Sequence, residues 1–134
     1  MLLLDTHAVL WLDSGERMTS EALQAIDAAA QEGAVLVSPV SAWEVGLLVG
    51  KGRISLDIDA LAWFERFLAL PGVRLTPLTA AAAITSSALP EPFHGDPADR
   101  LLVASARELA CPIVTRDRKI LEYAERGAVR AIAC

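Results

Sequence analysis

The chain has 134 residues, of which 54% are hydrophobic, and its 12 Lys and Arg stand against 17 Asp and Glu for a formal net charge of −5. That length and apolar content suit one domain over 1–134 that folds by packing alone, and they exclude a disordered chain. Two cysteines exclude a disulfide framework, and the acidic balance argues against a broadly basic nucleic-acid surface.

The excess acid is therefore either spread as solubilising surface or concentrated where a cation sits. Cys111 precedes an apolar run and reads as a buried small hydrophobe, while the terminal Cys134 reads as loose. The opening Met1-Leu2-Leu3-Leu4-Asp5 lacks a basic leader region, and no apolar run reaches the length of a membrane span. A soluble, cytoplasmic protein in a reducing compartment is expected.

In chain order, Leu2 to Leu4 reads as a short buried strand ending at Asp5, followed by a helix from Thr6 to Leu12. Thr19 or Ser20 caps a helix running to about Gln31, with Leu23 and Ile26 inward and Gly33 as its stop. Ala34 to Val37 is the second strand. Ser38 as cap and Pro39 in the first turn open a helix that carries Trp43, Glu44, Leu47 and Leu48 and ends near Gly50-Lys51-Gly52.

Ala60 to Leu70 forms a helix with Leu61, Phe64 and Leu68 on one face. Val73 to Leu78 is a strand that Pro77 places at an edge, and Thr79 to Leu89 is a short Ala-rich helix. After a loop from Pro90 to Gly95, Asp96-Pro97 starts a helix to about Leu109. Pro112 to Thr115 is a strand, Ile120 to Glu125 a last helix, and Ala128 to Ile132 a final strand. Short apolar runs alternating with amphipathic segments predict an α/β domain with a largely parallel sheet.

The acids fall where such a sheet binds ligands. Asp5 follows the first strand, Glu44 lies on the helix after the second, and Asp117 follows the strand that ends at Thr115. Crevices beyond the carboxyl ends of parallel strands are the usual binding sites, so acids from distant segments meet at one edge. Asp99 joins them by helix geometry, since Leu102, Val103 and Ala106 at i+3, i+4 and i+7 place it on the inward stripe. Glu44 likewise has Val40, Leu47 and Leu48 as helical neighbours.

Carboxylates crowded into one crevice must either take up protons or share a divalent cation. An all-carboxylate set favours a hard ion such as Mg²⁺ or Mn²⁺ over zinc. The Asp residues also have plain structural roles open to them, Asp5, Asp96 and Asp117 at helix starts as caps and Asp99 in a first turn that favours negative charge, while Glu44, mid-helix among apolar neighbours, is less easily explained in that way. All four of Asp5, Glu44, Asp99 and Asp117 at one sheet edge is the less ordinary coincidence. The cations Lys51, Arg53, Arg116, Arg118 and Lys119 either meet phosphates near the mouth or are solvated surface, and Trp11, Trp43 and Trp63 read as core. There is no Gly-rich phosphate loop, Cys/His metal motif or nucleophile elbow.

Four segments, Leu3-Leu4-Asp5-Thr6-His7, Ser38-Pro39-Val40-Ser41-Ala42-Trp43-Glu44-Val45, His94-Gly95-Asp96-Pro97-Ala98-Asp99-Arg100-Leu101-Leu102-Val103-Ala104 and Val114-Thr115-Arg116-Asp117, resemble in content and order the motifs of PIN domains, above all of VapC-type toxins. The resemblance spans nearly the whole chain. It implies a three-layer α/β/α sandwich and a Mg²⁺- or Mn²⁺-dependent endoribonuclease in which Asp5, Glu44, Asp99 and Asp117 are the acidic quartet. It further implies support of the metal shell by Thr6 and Thr115, a subgroup pattern at His94, Asp96 and Arg100, a homodimer, and a cognate antitoxin that blocks the site. Two other readings remain open at this point: a receiver-like phosphoacceptor domain, with Lys119 as its lysine, and a catalytically silent protein-binding module.

Overall fold

The computed structural model describes every residue except Glu91 and His94, so the expectation for His94 lies outside the described residues. Among the described residues the elements run β1 (Leu2–Leu4), α1 (Thr6–Ser14), α2 (Ser20–Gln31), β2 (Val35–Val37), α3 (Pro39–Gly50), α4 (Ala60–Leu68), β3 (Val73–Leu75), α5 (Ala80–Thr85), α6 (Pro97–Leu109), β4 (Ile113–Thr115), α7 (Arg118–Glu125) and β5 (Ala131–Ala133). The strands pair in parallel in the order β3-β2-β1-β4-β5.

Side-chain alternation along such short strands decides the layers. Leu2 and Leu4 of β1, Val35 and Val37 of β2, and Val114 of β4 pack with Ala8 and Val9 of α1, Ala22 and Ala29 of α2, and Trp63, Phe64 and Phe67 of α4. Leu3, Leu36 and Ile113 point the other way, onto Ala82 of α5, Leu102 and Val103 of α6, and Ile120 and Tyr123 of α7. Every side chain of the three central strands is buried, which is why they read as unbroken apolar runs rather than alternating ones. The result is the expected three-layer α/β/α sandwich. α3 spans both sides, with Val45 in the first cluster and Val40 in the second.

The helix starts are set by side-chain caps. Asp5, Thr19, Ser38, Asp59, Thr79, Asp96 and Asp117 each accept a bond from a first-turn backbone N–H. Gly72, at φ +82°, turns the chain into β3 so tightly that a Cβ there would stand 2.2 Å from the Ala30 carbonyl oxygen of α2.

Several expectations are corrected. β3 ends at Leu75, short of Leu78, though it does lie at an edge; the final strand sits at Ala131–Ala133 instead of starting at Ala128. Leu23 and Leu61 face solvent, because the buried stripe of α4 runs through Trp63, Phe64 and Phe67 and that of α2 through Ala22 and Ala29. Trp63 is core as expected, but Trp43 is 55% exposed and Trp11 only half-buried. Cys134 is buried, since β5 docks it beside β4 with its N–H on the Thr115 carbonyl at 3.0 Å. Among the described residues no helix is long and apolar enough to cross a membrane.

Candidate active site

The strand order reverses direction at β1 and β4: one half of the sheet grows outward from β1 through β2 to β3, the other through β4 to β5. Parallel sheets open a crevice at that switch point, beyond the strands' carboxyl ends. Here a concave pocket of about 350 Å³ is lined by Asp5, Thr6, Glu44, Asp96, Asp99 and Asp117, together with His7, Trp11, Leu102 and Arg116. The four acids read from the sequence are brought together, and Asp96 joins them.

Each carboxylate is placed by a specific local structure. Asp5 ends β1 and caps α1, with Oδ1 accepting from the Ala8 N–H at 3.0 Å and Oδ2 accepting from the Thr115 hydroxyl. That hydroxyl in turn accepts from the Asp117 N–H at 3.0 Å, and Asp117 Oδ1 caps α7 through the Ile120 N–H at 3.1 Å. Thr115, fully buried, thus ties Asp5 to Asp117 across the switch point. On the other side the Thr6 hydroxyl donates to Glu44 Oε1 and lies 3.1 Å from the buried Ser41 hydroxyl. Asp96 caps α6 by accepting from the Asp99 N–H at 2.8 Å.

Capping a helix and lining the pocket therefore coexist in Asp5, Asp96 and Asp117. A capping Asp spends one oxygen on the helix and, because caps sit at helix starts after strands, holds the carboxyl at the crevice. Arg100, by contrast, does not line the pocket: it donates to the Ser86 and Phe93 carbonyls at 2.8 and 2.6 Å and braces the loop before α6. Ser41 and the Trp11–Arg116 pair escaped the sequence reading. Ser41 lies three positions before Glu44 on one helix face, a usable signal, but Arg116 meets Trp11 only through the fold, its guanidinium carbon 3.9 Å from the ring centroid while it donates to the Arg17 and Cys134 carbonyls.

Burial and mutual repulsion set the site's electrostatics. Asp99 is pushed up to about 7, by burial first and then by Asp96, Asp117, Glu44 and Asp5. Burial raises Glu44, with Asp96 and Asp5 adding to the effect and the Thr6 hydroxyl opposing it. Asp5 is also raised by burial, against the Thr115 and Ala8 hydrogen bonds that favour its charged form. Among the described residues none of these acids is ion-paired with a lysine or arginine.

The donor set of carboxylates and hydroxyls, without a thiol, suits a hard divalent cation. Among the described residues no three acids converge closely enough to chelate an ion as they stand. The Asp5 carboxylate is held instead by Ala8 and Thr115, that of Glu44 by Thr6 and that of Asp117 by Ile120. What the fold fixes is the gathering of unneutralised acids in one pocket.

The sequence pattern of the PIN domain family matches residues 2–126. This chain is a PIN domain. It is 37% identical over 123 residues to Ribonuclease VapC22 of Mycobacterium tuberculosis, a similarity that covers 91% of each protein. Among solved structures, a chain of the VapBC2 complex of Rickettsia felis, bound to a DNA fragment from its promoter, superposes with a TM-score of 0.70 at 12% identity, covering 98% of this chain and 97% of that one. A toxin–antitoxin complex from Klebsiella pneumoniae gives 0.64 at 22% identity, covering 98% and 96%. At those identities the two structures establish the shared fold. The family assignment sets aside the receiver-like reading, and the unpaired acids of this PIN domain weigh against a silent module.

Proposed function

We propose that this PIN domain is a metal-dependent endoribonuclease, the toxin of a type II toxin–antitoxin pair. The observation that carries the reading is the single pocket in which Asp5, Glu44, Asp96, Asp99 and Asp117 meet without a basic partner among the described residues. The 37% identical relative is named a ribonuclease, and the solved neighbours include toxin–antitoxin complexes. Ribonucleases of this family depend on a metal ion in general; Mg²⁺ or Mn²⁺ is the ion proposed here, since the donors are all oxygen. The 134 residues act as one catalytic unit, as a homodimer in the cytoplasm, until a cognate antitoxin protein covers the pocket.

A bound divalent ion would neutralise charge building on the phosphodiester and make water a stronger nucleophile at neutral pH. Asp5, Asp99 and Asp117 are the residues that would hold it, and Glu44 would bind a second ion or help to deprotonate the attacking water. Burial, with Asp96 and Asp5 adding to it, raises the Glu44 pKa, and a more basic carboxylate is the better proton acceptor. Thr6 holds the Glu44 carboxylate by donating to it, and Thr115 holds that of Asp5 in the same way, which limits how far either must move to meet an ion.

Purified protein is expected to cut single-stranded RNA internally in Mg²⁺ or Mn²⁺, to stop when a chelator is added, and to resume when the ion is restored. Intact RNA in both ions, from protein with a normal folded signature, would overturn the proposal.

A further inference from the structure

Beside the acidic pocket lies a second cavity of about 220 Å³, bordered by Trp43, Leu47, Leu48, Lys51, Arg53 and Pro97. It shares Glu44 and Asp96 with the first, so the two cavities adjoin. Trp43 immediately precedes Glu44 on α3 and leaves 55% of its surface in water. A large flat indole beside a reaction site, exposed when most of the chain's aromatic surface is buried, is poised for a stacking partner. Lys51 and Arg53 follow at the end of the same helix, and neither side chain has a hydrogen-bond or ion-pair partner among the described residues.

The acidic pocket alone repels a polyanion. A substrate that places one phosphate among the acids needs its neighbouring phosphates held by cations, and Lys51 and Arg53 border the second cavity without a side-chain partner among the described residues. A protein segment without acidic side chains would exploit Leu47 and Leu48 but leave the two positive charges unmatched. We infer that this second cavity is a nucleotide subsite for single-stranded RNA, in which Trp43 stacks the base next to the scissile phosphate and Lys51 and Arg53 hold the adjoining phosphate. The position of the scissile bond rests on the nuclease reading; the binding itself does not. Because bases in a duplex are already stacked on each other, the subsite selects unpaired strands.

The test is fluorescence anisotropy of an end-labelled, mixed-sequence single-stranded RNA of roughly 12 nucleotides, within the usual site size of single-strand grooves. A chelator is present so that cleavage does not interfere. Trp43→Ala is expected to weaken binding about tenfold or more, and Trp43→Phe to keep most of it. Lys51→Ala with Arg53→Ala should lower the slope of log affinity against log salt by about 1.4, at roughly 0.7 per phosphate contact. Ile84→Ala, equally apolar and 71% exposed but remote from both cavities, should change nothing. A duplex of the same sequence should bind at least about tenfold more weakly, since its bases are not free to stack.

RNA binding unchanged by Trp43→Ala, or a duplex bound as tightly as the single strand, overturns the subsite and leaves the face to a protein contact. The nuclease reading fails separately. Wild-type protein that binds in this way but never cleaves in Mg²⁺ or Mn²⁺ removes the reaction and keeps the subsite.

Discussion

Asp99→Asn is expected to slow RNA cleavage by about 10²–10³-fold or more, the scale seen when one charge-stabilising group is lost from a preorganised site. The same substitution is expected to raise the melting temperature at pH 8 in the presence of a chelator. Both effects have one cause. Asp99 is half-buried with four other carboxylates around it, and its pKa stands at about 7 in the folded chain against 3.8 for an isolated side chain.

Between those values the folded state holds a proton that the unfolded state releases, so stability declines as pH rises from about 4 to 7 and stays low above. This is opposite in sign to a salt-bridged carboxylate. Part of the effect is screened, because Asp99 is open to solvent on its pocket side. Asn keeps the shape and drops the charge, so the Asp99→Asn variant should melt at a temperature that depends less on pH between 5 and 8. Thermal melts of both proteins across that range check the claim. A variant less stable than wild type at pH 8, with an unchanged pH slope, would refute it.

Trp63→Ala is expected to destabilise the protein by about 3–5 kcal/mol, the usual range for emptying an aromatic core position. For a chain of this size that lowers the melting temperature by roughly 10–20 °C. Trp63 is 1% exposed, stacks on Phe67 with ring centroids 6.1 Å apart, and donates from Nε1 to Asp13 Oδ2 at 2.9 Å. It therefore joins α4 to α1 as well as to the sheet. Truncation leaves a large cavity and an Asp13 carboxylate without its indole donor. Because α1 carries Thr6 and α3, packed beside α4, carries Glu44, cleavage should fall in step with the folded fraction as temperature rises and be near normal well below the new midpoint. A loss of only a few degrees would mean that the helix layer repacks around the gap.

Much of the site could be read from residue order because parallel sheets place strand ends together. Asp5 and Asp117 follow short apolar strands directly, and Asp99 declares itself by sharing a stripe with Leu102, Val103 and Ala106, all of which are buried. Glu44 on α3 was read from Val40, Leu47 and Leu48, of which only Val40 is buried. That helix also shows where such reading fails. Its sequence from Pro39 to Gly50 is apolar on nearly every side, so periodicity does not reveal that Val40 and Val45 turn inward while Trp43 and Leu47 turn out.

Contacts made only by the tertiary fold were equally hidden. Burial of Cys134 depends on β5 docking beside β4, and the Arg116–Trp11 stack joins residues far apart in the chain. The brace from Arg100 to Ser86 and Phe93 depends on a loop path that no turn motif encodes.

The central claim concerns the shared ion, and calorimetric titration of Mn²⁺ into wild type and Asp5→Asn addresses it most directly. Asn is also a good helix cap, so the Ala8 N–H bond and the fold should survive. The account predicts saturable Mn²⁺ binding to the wild-type protein, weakened at least about tenfold in Asp5→Asn, with cleavage lost alongside. Equal Mn²⁺ affinity in the two proteins, or none in the wild type, would contradict it.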